Sequence, residues 1–516
     1  MKLSELLRST KINKSKINEG SVGTDPEINF ITNDSRLVTP ESIYIAIKGI
    51  NRDGHDFLGE IYGKGCRVAI VEKIVPDAPI NQYLVENSRI AWSNLSAAYY
   101  GYPAKSIDVI GITATNGKTT IAFMMEEILR AHGLVTGLIG TVKIRYGDEL
   151  VPAVMTTPES FDLQGYFARM REKGVQTCVM EVSSSALEQY RAQDVDFKVV
   201  SFNNFSREHI DQHGTLEKYW TAKSSIITKS KKDTVTVINI DDPEVVKTMG
   251  TGEGKQITYY MKTRDGDINA TDVDLSLDHP KYTVVVKNEI KLNDSKILPQ
   301  TFEVALSVPG LHTVLNSLSC VAMALAYGIP VKAIQDGLYN FKGVERRFEL
   351  IYDREFKIID DHFANEANIK VSMESLSKMN YEKLHIVYAI RGNRGVTVNT
   401  ENLRETAKWL GKVRLGNFIG TESFGIMTKK DIVKPEEKEL FFKETKDNGI
   451  NQIFIEKLDE AIYYAIDNAG KNDIILLAGS QGMDKGADIA LKYLAKKHED
   501  VSFEILKPLE TRICGK

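Results

Sequence analysis

Apolar and polar positions change their spacing several times along the chain. The runs SIYIAIKG (42–49) and CRVAIVEK (66–73) have the β-branched, apolar character of short strands, and the segment around NLSAAYYGYP (94–103) has a helical pattern. Gly101 and Pro103 interrupt that helix. The first hundred residues therefore predict a small α/β domain.

A strand, a glycine turn and a helix come next. The apolar segment DVIGIT leads directly into the turn, which predicts a domain boundary near residue 106. After the turn, apolar residues recur at the spacing of an amphipathic helix, namely Ile121, Met124, Met125, Ile128 and Leu129. Gly133 follows at the place of a C-terminal cap.

Strand-like runs continue to alternate with helical stretches. Three of them, VQTCVMEVSS (175–184), FKVVSFNNF (197–205) and DTVTVINID (233–241), predict a largely parallel sheet with crossover helices. The stretch from about 255 to 308 instead predicts an antiparallel insertion, because YTVVVK alternates within a charged, turn-rich surround. From about residue 345 the strand-like runs return as KIIDDH, LHIVYAI, NFIG, QIFIEK and DIILLAG.

The predicted fold class is α/β with three domains. We expect a small N-terminal α/β domain at 1–105, a central domain of the P-loop ATPase type with a mainly parallel sheet at 106–344, and a C-terminal Rossmann-like α/β domain at 345–516. The chain of 516 residues is too long for a single hydrophobic core, which agrees with that division.

Composition narrows the function classes. Hydrophobic residues make up 42% and charged residues 26%, as in folded globular proteins, and the net charge of −4 gives no basic field for nucleic acid or an anionic membrane. The four cysteines form no CxxC pair, and no eighteen apolar residues run together. We therefore expect a cytoplasmic protein that binds neither nucleic acid nor membrane.

The candidate chemistry centres on the segment GITATNGKTT at 111–120. Glycines at the strand end and before Lys118 suit a loop whose backbone N–H groups and following helix face phosphate groups. Lys118 would supply a positive charge and Thr119 a ligand for Mg²⁺. Five residues separate Gly111 from Gly117, one more than in the standard P-loop, and such strings also occur by chance in turns.

The residues TNGKTT after a strand resemble the signature of the Mur ligases and folylpolyglutamate synthases, with Ala114 in place of the usual glycine. The segment MEVSSSALEQYRAQDVDFKVVSFNNFSREHIDQHGTLEKYWTAKSS (180–225) resembles the MurE branch of the Mur ligase family almost end to end. The resemblance implies ATP and Mg²⁺ as cofactors. The nucleotide-binding residues that it implies are Thr115, Asn116, Gly117, Lys118, Thr119, Thr120, Asn316, Arg347 and Asp361.

The same resemblance implies a magnesium site and a catalytic set. Glu181 and His209 each end an apolar run and match the family's metal ligands, together with Thr119. Lys223 matches the lysine that Mur ligases carry as a carbamate, which would turn a cation into a metal-binding anion. The implied catalytic residues are Lys118, Glu181, His209 and Lys223.

Contacts to an acceptor are also implied position by position. The residues that resemble MurE contacts to a nucleotide sugar-peptide are Thr156, Thr157, Ser183, Gln189 and Arg191, and in the first domain Asp34, Ser35 and Arg36. Ser185 stands where many MurE proteins have histidine.

The last domain departs most from the family. Its DNP-type motif is missing, AGSQGMDKGAD replaces the usual GKGHE string, and Ala364 occupies a usual histidine position. AIRGNRG (389–395) is more similar to archaeal members, including the pseudomurein-type ligases. The sequence therefore predicts a rebuilt amino-acid pocket.

The function implied is an ATP-dependent ligase that adds a free amino acid to a UDP-linked glycopeptide or peptide acceptor through an acyl phosphate, in peptidoglycan or pseudomurein synthesis. We expect a monomer. Two alternatives stay open at this point: a folylpolyglutamate-type ligase, and a non-catalytic subunit that binds nucleotide.

Overall fold

The computed structural model describes residues 1–8, 10, 16–17, 25–49, 52–208, 210–262, 265–275, 279–308, 310–510 and 512–514. The chain forms two compact units. The first contains Met1–Ile268, Lys287–Leu298 and Ser319–Ala333, and the second contains Asn269–Val286, Pro299–Leu318 and Ile334–Lys516. The predicted domain boundaries after residues 105 and 344 remain predictions.

The first unit begins with a five-stranded sheet in the order β1-β5-β4-β3-β2. Strands β2 to β5 are parallel, whereas β1 runs antiparallel to β5. Asn87 caps α3 by accepting hydrogen bonds from two backbone N–H groups. The elements are α1 (Leu3–Arg8), β1 (Lys16–Ile17), β2 (Phe30–Thr32), β3 (Ser42–Ile45), α2 (Leu58–Gly63), β4 (Val68–Val71), β5 (Asn81–Leu84) and α3 (Ser88–Tyr99).

The central sheet of the first unit has the order β13-β12-β11-β6-β10-β7-β8-β9. Its first six strands in that order are mutually parallel, and β8 and β9 add an antiparallel edge. The elements are β6 (Asp108–Thr113), α4 (Lys118–Ala131), β7 (Thr136–Ile139), β8 (Lys143–Tyr146), β9 (Glu149–Pro152), α5 (Ser160–Glu172), β10 (Thr177–Glu181), α6 (Ser184–Glu188), β11 (Phe197–Phe202), α7 (Ile210–His213), α8 (Leu216–Thr228), β12 (Val235–Asn239), α9 (Pro243–Val246) and β13 (Lys255–Tyr260).

The predicted antiparallel insertion is shorter than expected. Strand β13 pairs in parallel with β12, so the prediction was wrong for 255–260, where the parallel sheet continues. Antiparallel pairing does join β15 to β18, and β16 to β17 in a small hairpin. The elements of this stretch are β14 (Ile268–Asp274), β15 (Lys281–Val286), β16 (Ile290–Lys291), β17 (Lys296–Ile297) and β18 (Gln300–Ala305), followed by the helices α10 (Leu311–Tyr327) and α11 (Val331–Asn340).

The second unit contains a six-stranded sheet in the order β19-β20-β24-β21-β22-β23. All of these strands are parallel except β19, and the five runs predicted as strands after residue 345 are confirmed. The elements are β19 (Glu349–Asp353), β20 (Lys357–Asp361), α12 (Glu366–Lys378), β21 (Leu384–Ala389), α13 (Val396–Leu410), β22 (Leu415–Thr421), α14 (Pro435–Asp447), β23 (Gln452–Phe454), α15 (Leu458–Asp467), β24 (Ile474–Ala478), α16 (Gly486–Lys497) and α17 (Ser502–Leu506).

Aromatic side chains pack α3, next to the five-stranded sheet, against α5, next to the central sheet. The ring of Phe161 on α5 lies 5.3 Å from that of Phe30, 5.4 Å from that of Tyr99 and 5.1 Å from that of Tyr100. Aromatic pairs at such separations are favourable beyond the area that they bury. The two sheets of the first unit are therefore joined by a packed hydrophobic contact.

A buried ionic cluster ties the segment 512–514 to the beginning of the six-stranded sheet. Arg512 donates to Glu349 at 2.6 Å and also to Asp360, and Asp360 accepts a second bond from Arg346 at 3.2 Å. The side chains of Arg512 and Asp360 are almost completely buried. Charges removed from water in this way need their partners, because an unpaired buried ion is costly.

The fold class is confirmed as α/β with mainly parallel sheets. In the part of the chain that the structure describes, no helix has the length and apolar character to cross a bilayer.

Candidate active site

The phosphate-type loop lies between β6 and α4 in the centre of the parallel sheet. Gly117 has a φ of +87° and immediately precedes α4, which begins at Lys118. A left-handed φ favours glycine, which explains this residue at the turn into the helix. Ala114 is buried and is not among the described residues with positive φ, so the alanine does not strain the loop.

The residues that follow β11 hold the loop in place. The side-chain amide of Asn204 accepts from Asn116 N and donates to Asn116 O, both at 2.9 Å. Thr115 Oγ1 accepts from Ser206 N at 3.0 Å and lies 3.1 Å from the hydroxyl of Tyr219. Sequence reasoning missed Asn204 and Tyr219, although two asparagines at the carboxyl end of a central strand are a usable signal.

Lys118 and Lys223 meet at one backbone carbonyl. Lys118 Nζ donates to Ala114 O at 2.8 Å and to Thr115 O at 3.0 Å, while Lys223 Nζ donates to Ala114 O at 2.7 Å. Lys223 is only 1% exposed. Its burial, and next the charge of Lys118, hold the pKa of the Lys223 amine well below its ordinary value. The structure thus brings together two of the predicted catalytic residues.

Glu181 ends β10 as a completely buried carboxylate beside the loop. It accepts hydrogen bonds from Thr119 Oγ1 at 2.9 Å, from Thr141 N at 2.8 Å and from Thr141 Oγ1 at 3.0 Å. Burial raises the pKa of Glu181, and the bonds from Thr141 and the charge of Lys118 oppose that rise. Sequence reasoning missed Thr141, because this residue lies in a short loop after β7 that contains no recognisable motif.

Gly140 makes room for that carboxylate. A methyl group at position 140 would overlap Glu181 Oε1 and would lie 3.2 Å from the carboxyl carbon. Glycine at position 140 therefore lets the Glu181 carboxylate keep this place beside the loop.

Thr119 and Glu181 fit a magnesium ion by their chemistry. They offer a hydroxyl and a carboxylate oxygen, which are the hard donors that Mg²⁺ prefers, and they are already within hydrogen-bond distance of each other. Among the described residues, no three His, Cys, Asp or Glu side chains gather in a metal-binding cluster. Of the two other predicted ligands, Lys223 was expected to bind as a carbamate, and His209 lies outside the described residues.

Three of the predicted acceptor residues lie at the same sheet edge as Glu181. Thr157 Oγ1 donates to Glu181 O at 2.8 Å and accepts from Ser183 N at 3.1 Å. Thr156 Oγ1 lies 3.1 Å from Thr141 Oγ1. The structure therefore places Thr156, Thr157 and Ser183 next to the candidate metal residues.

Gln189 and Arg191 continue this group. Arg191 donates to Thr157 O at 3.0 Å and to Gln189 Oε1 at 2.9 Å, and it forms an ion pair of 2.8 Å with Glu159. The five predicted acceptor residues of the central sheet thus form one connected set.

Asp34, Ser35 and Arg36 form a separate group after β2. Hydrogen bonds from Arg36 lower the pKa of Asp34 to about 2, and Lys64 Nζ donates to Ser35 O at 2.9 Å. The side chain of Arg36 is 84% exposed. None of the contacts given by the described residues joins this group to the phosphate-type loop.

The remaining predicted residues belong to the second unit. Asp361 ends β20 and accepts from Phe348 N at 3.0 Å and from the hydroxyl of Ser372. Burial raises the pKa of Asp361, and the hydrogen bonds from Ser372 and Phe348, and then the charge of Arg347, oppose that rise. Asn316 is buried on α10, and no described contact joins it to Asp361 or Arg347.

His362 follows Asp361 in a strongly cationic surround. Its pKa is lowered to about 3, first by burial and then by the charges of Arg346, Arg347 and Arg391. Arg391 also donates to the carbonyl of Ala364 at 2.6 Å. Sequence reasoning assigned no role to His362, and it named Arg391 only as part of the segment AIRGNRG (389–395).

Comparison with known proteins identifies the family of the chain. The Mur ligase middle domain matches residues 112–324, and the Mur ligase glutamate ligase domain matches residues 346–481. A UDP-N-acetylmuramoyl-L-alanyl-D-glutamate--2,6-diaminopimelate ligase from Caldanaerobacter subterraneus subsp. tengcongensis is 30% identical over 515 residues, which cover 99% of this chain and 100% of the relative.

Solved structures share the fold. One UDP-N-acetylmuramoyl-L-alanyl-D-glutamate--2,6-diaminopimelate ligase superposes with a TM-score of 0.64 at 22% identity, over 88% of this chain and 89% of that chain. The MurF ligase from Thermotoga maritima in complex with ADP has a TM-score of 0.57 at 20% identity, over 91% and 98%. With a relative at 30% identity along its full length and two matching domains, this chain belongs to the Mur ligase family.

Proposed function

We propose that this protein uses ATP to join an amino acid to a UDP-linked glycopeptide or peptide acceptor, in the synthesis of a cell-wall peptide. The observation that carries the proposal is the convergence of Lys118, Lys223, Thr119 and Glu181 on one loop at the carboxyl edge of the central sheet. The relative that matches the whole chain is named as a ligase of this kind.

ATP would bind at the loop through charge and backbone donors. The N-terminal end of α4 presents N–H groups to phosphate, and Lys118 adds a cation that now bonds to the loop's own carbonyls. Thr119 and Glu181, with His209 as the further predicted ligand, would hold Mg²⁺. The bound ion would supply charge neutralisation at the phosphates.

The chemical sequence follows from the poor electrophilicity of a carboxylate. An oxygen of the acceptor carboxylate attacks the γ-phosphorus of ATP, the bond from that phosphorus to the β-γ bridging oxygen breaks, and ADP leaves from an acyl phosphate. The amine of the incoming amino acid then attacks the acyl carbon, and phosphate leaves as the amide forms and a proton is released. The protein's share is alignment and electrostatic stabilisation by Lys118.

Lys223 suits the carbamate that the family resemblance implies. Burial, and next the charge of Lys118, lower the pKa of its amine, which favours the neutral form that attacks CO₂ to give a carbamate and a proton. The product would place an anion beside Lys118. An anion there would attract the Lys118 ammonium, whereas a protonated Lys223 would repel it across the carbonyl of Ala114.

The acceptor would lie along Thr156, Thr157, Ser183, Gln189 and Arg191, with its nucleotide near Asp34, Ser35 and Arg36. The amino acid would bind to the second unit, which also carries three residues predicted from the family resemblance to bind nucleotide: Asn316 on α10, Arg347 and Asp361. The diaminopimelate named for the relatives is not carried over, because the DNP-type and GKGHE motifs are missing here. A pseudomurein-type acceptor is the favoured variant of this proposal.

The other two alternatives have less support. The whole-length relative includes the segment 1–105, which argues against a folylpolyglutamate-type ligase. A non-catalytic subunit does not account for a buried Glu181 poised beside Thr119 and the loop.

An assay of phosphate release, with ATP and Mg²⁺ present, tests the proposal. The acceptor is UDP-N-acetylmuramoyl-L-alanyl-D-glutamate in one arm and a UDP-linked peptide without the sugar in the other, each with a panel of amino acids. We expect release only when an acceptor and one class of amino acid are both present. Release that needs neither, or none in any arm, would refute the ligase assignment.

A further inference from the structure

We propose that Arg89 is a positioning residue for the acceptor, acting through the side-chain amide of Gln189. Arg89 lies on α3 of the five-stranded sheet, 100 positions before Gln189 in the sequence, and its Nη1 donates to Gln189 Oε1 at 3.1 Å. The inference rests on the proposed function, since Gln189 is one of the residues expected to bind the acceptor.

The backbone of Arg89 is fixed before its side chain reaches across. Asn87 Oδ1 accepts from Arg89 N at 2.9 Å and from Ile90 N at 3.0 Å, and Glu72 accepts from Ser88 N at 2.8 Å. These bonds satisfy the first N–H groups of α3. The guanidinium therefore extends from a rigid helix start, which makes it a precise donor.

Two guanidinium groups hold a single amide oxygen. Arg89 bonds Gln189 Oε1 at 3.1 Å and Arg191 bonds the same atom at 2.9 Å, so both lone pairs of that oxygen are engaged. The reversed amide would direct its own NH₂ group at two cations. The pair of arginines consequently fixes which end of the amide is the oxygen.

That orientation leaves Gln189 Nε2 as the end of the amide that neither arginine contacts. Within the described ranges of the chain, this nitrogen has no hydrogen-bond partner, and the buried Nε of Arg191 has none either. The amide N–H groups of Gln189 fit an oxygen-bearing ligand, and a carboxylate or peptide carbonyl of the acceptor provides such oxygens.

The carboxylates around Arg89 offset the cost of burying its charge, and they do not occupy its hydrogen-bond donors. Burial lowers the pKa of Arg89, and the charge of Arg191 lowers it further. The charge of Glu159 opposes this lowering most, and those of Glu72 and Glu188 oppose it less. Glu159 is paired with Arg191 at 2.8 Å, and Glu188 with His213 at 3.0 Å. Arg89 is thus stabilised as a cation by carboxylates that bond to other groups.

A purely structural role for Arg89 is the competing explanation, because α3 also contacts the central sheet elsewhere. Asn94, on the same helix, donates to both carboxylate oxygens of Asp194 at 3.0 and 2.8 Å. This contact joins the same two parts of the first unit but does not touch Gln189. Asn94→Ala is therefore the matched control for helix docking.

The test measures KM and kcat of the full chain for ATP and for whichever acceptor supports turnover, UDP-N-acetylmuramoyl-L-alanyl-D-glutamate or the UDP-linked peptide without the sugar, with the amino acid that supports turnover. Arg89→Ala is expected to raise the acceptor KM about tenfold or more, the usual effect of losing a charge-assisted hydrogen bond. The KM for ATP should stay within about twofold, because the loop contacts are untouched. Arg89→Lys should recover part of the loss, and Asn94→Ala should change neither KM by more than about twofold.

A double substitution isolates the route through Gln189. In the Gln189→Ala background, Arg89→Ala should add less than about twofold to the acceptor KM, because its target is already gone. Equal effects of Arg89→Ala and Asn94→Ala, or additive effects of Arg89→Ala and Gln189→Ala, would overturn the inference. Wild-type protein without acceptor-dependent turnover would instead refute the proposed function, and this inference with it.

Discussion

Lys118 and Lys223 donate hydrogen bonds to the same backbone oxygen, that of Ala114, at 2.8 and 2.7 Å. Two ammonium groups on one acceptor repel each other, and the more buried one has the strongly lowered pKa. The arrangement assigns different roles to the two amines. Lys118 is suited to remain a cation for phosphate, and Lys223 is suited to react as a neutral amine.

Replacing Lys118 should remove turnover without unfolding the protein. Lys118→Ala loses the cation of the loop, and we expect kcat to fall by roughly a hundredfold or more, as when a group that stabilises the transition state is removed. Phosphate release measures the loss, and thermal unfolding checks the fold. Undiminished turnover in a folded variant would contradict the assigned role.

Lys223 should not be replaceable by arginine. A guanidinium stays cationic and does not form a carbamate, so Lys223→Arg is expected to lower kcat by roughly a hundredfold. Lys223→Ala should be equally inactive but partly restored by added short-chain carboxylates, which return an anion to the site. The assay is phosphate release with and without the added acid. An active Lys223→Arg variant would exclude a carbamate at this position.

His362 should make the protein less stable in acid. Its pKa is about 3 in the folded protein and 6.5 ordinarily, so between these values the unfolded chain binds the additional proton. The free energy of unfolding should therefore fall as the pH drops from 6.5 towards 3. His362→Asn, which cannot titrate there, should show a shallower decline.

Denaturant unfolding of both proteins at several pH values measures this difference. Parallel pH profiles for the two would show that burial and the arginines around His362 do not hold it neutral.

Arg512 should contribute to stability through its buried partners. Arg512→Ala leaves Glu349 and Asp360 with less compensation, and we expect a loss of about 3 kcal/mol in the free energy of unfolding. The exposed pair of Arg354 and Glu504 is the control, because breaking a surface ion pair costs less than about 1 kcal/mol. Equal losses from Arg512→Ala and Arg354→Ala in denaturant titrations would contradict the ionic cluster's role.

Helices and strands could be predicted from the sequence wherever the local spacing of apolar residues determines the secondary structure. The strand, glycine turn and helix from Asp108 to Ala131 and the five later strands were predictable, because buried parallel strands are short apolar runs and α4 repeats its apolar face. Strand β13 was misassigned because the residues after it alternate like an antiparallel strand. The pairing of β13 with β12 depends on the arrangement of the whole sheet, which the residues of β13 alone do not reveal.

Motif residues at strand ends were predictable, and the residues that support them were not. Glu181 ends an apolar run and matches the family, whereas Thr141 bonds to it from 40 positions away. Arg89 reaches Gln189 across 100 positions. Such contacts depend on how separate elements pack, which no local pattern encodes.

The fit of Gly140 against Glu181 links two positions that stand 41 residues apart in the chain. No larger side chain can enter position 140 while the carboxylate keeps its present reach. In a saturation screen for activity, substitutions at 140 should survive only together with a shorter acid, such as Glu181→Asp. Across related sequences the two positions should therefore covary, with a residue larger than glycine at 140 accompanied by a shorter acidic side chain at 181.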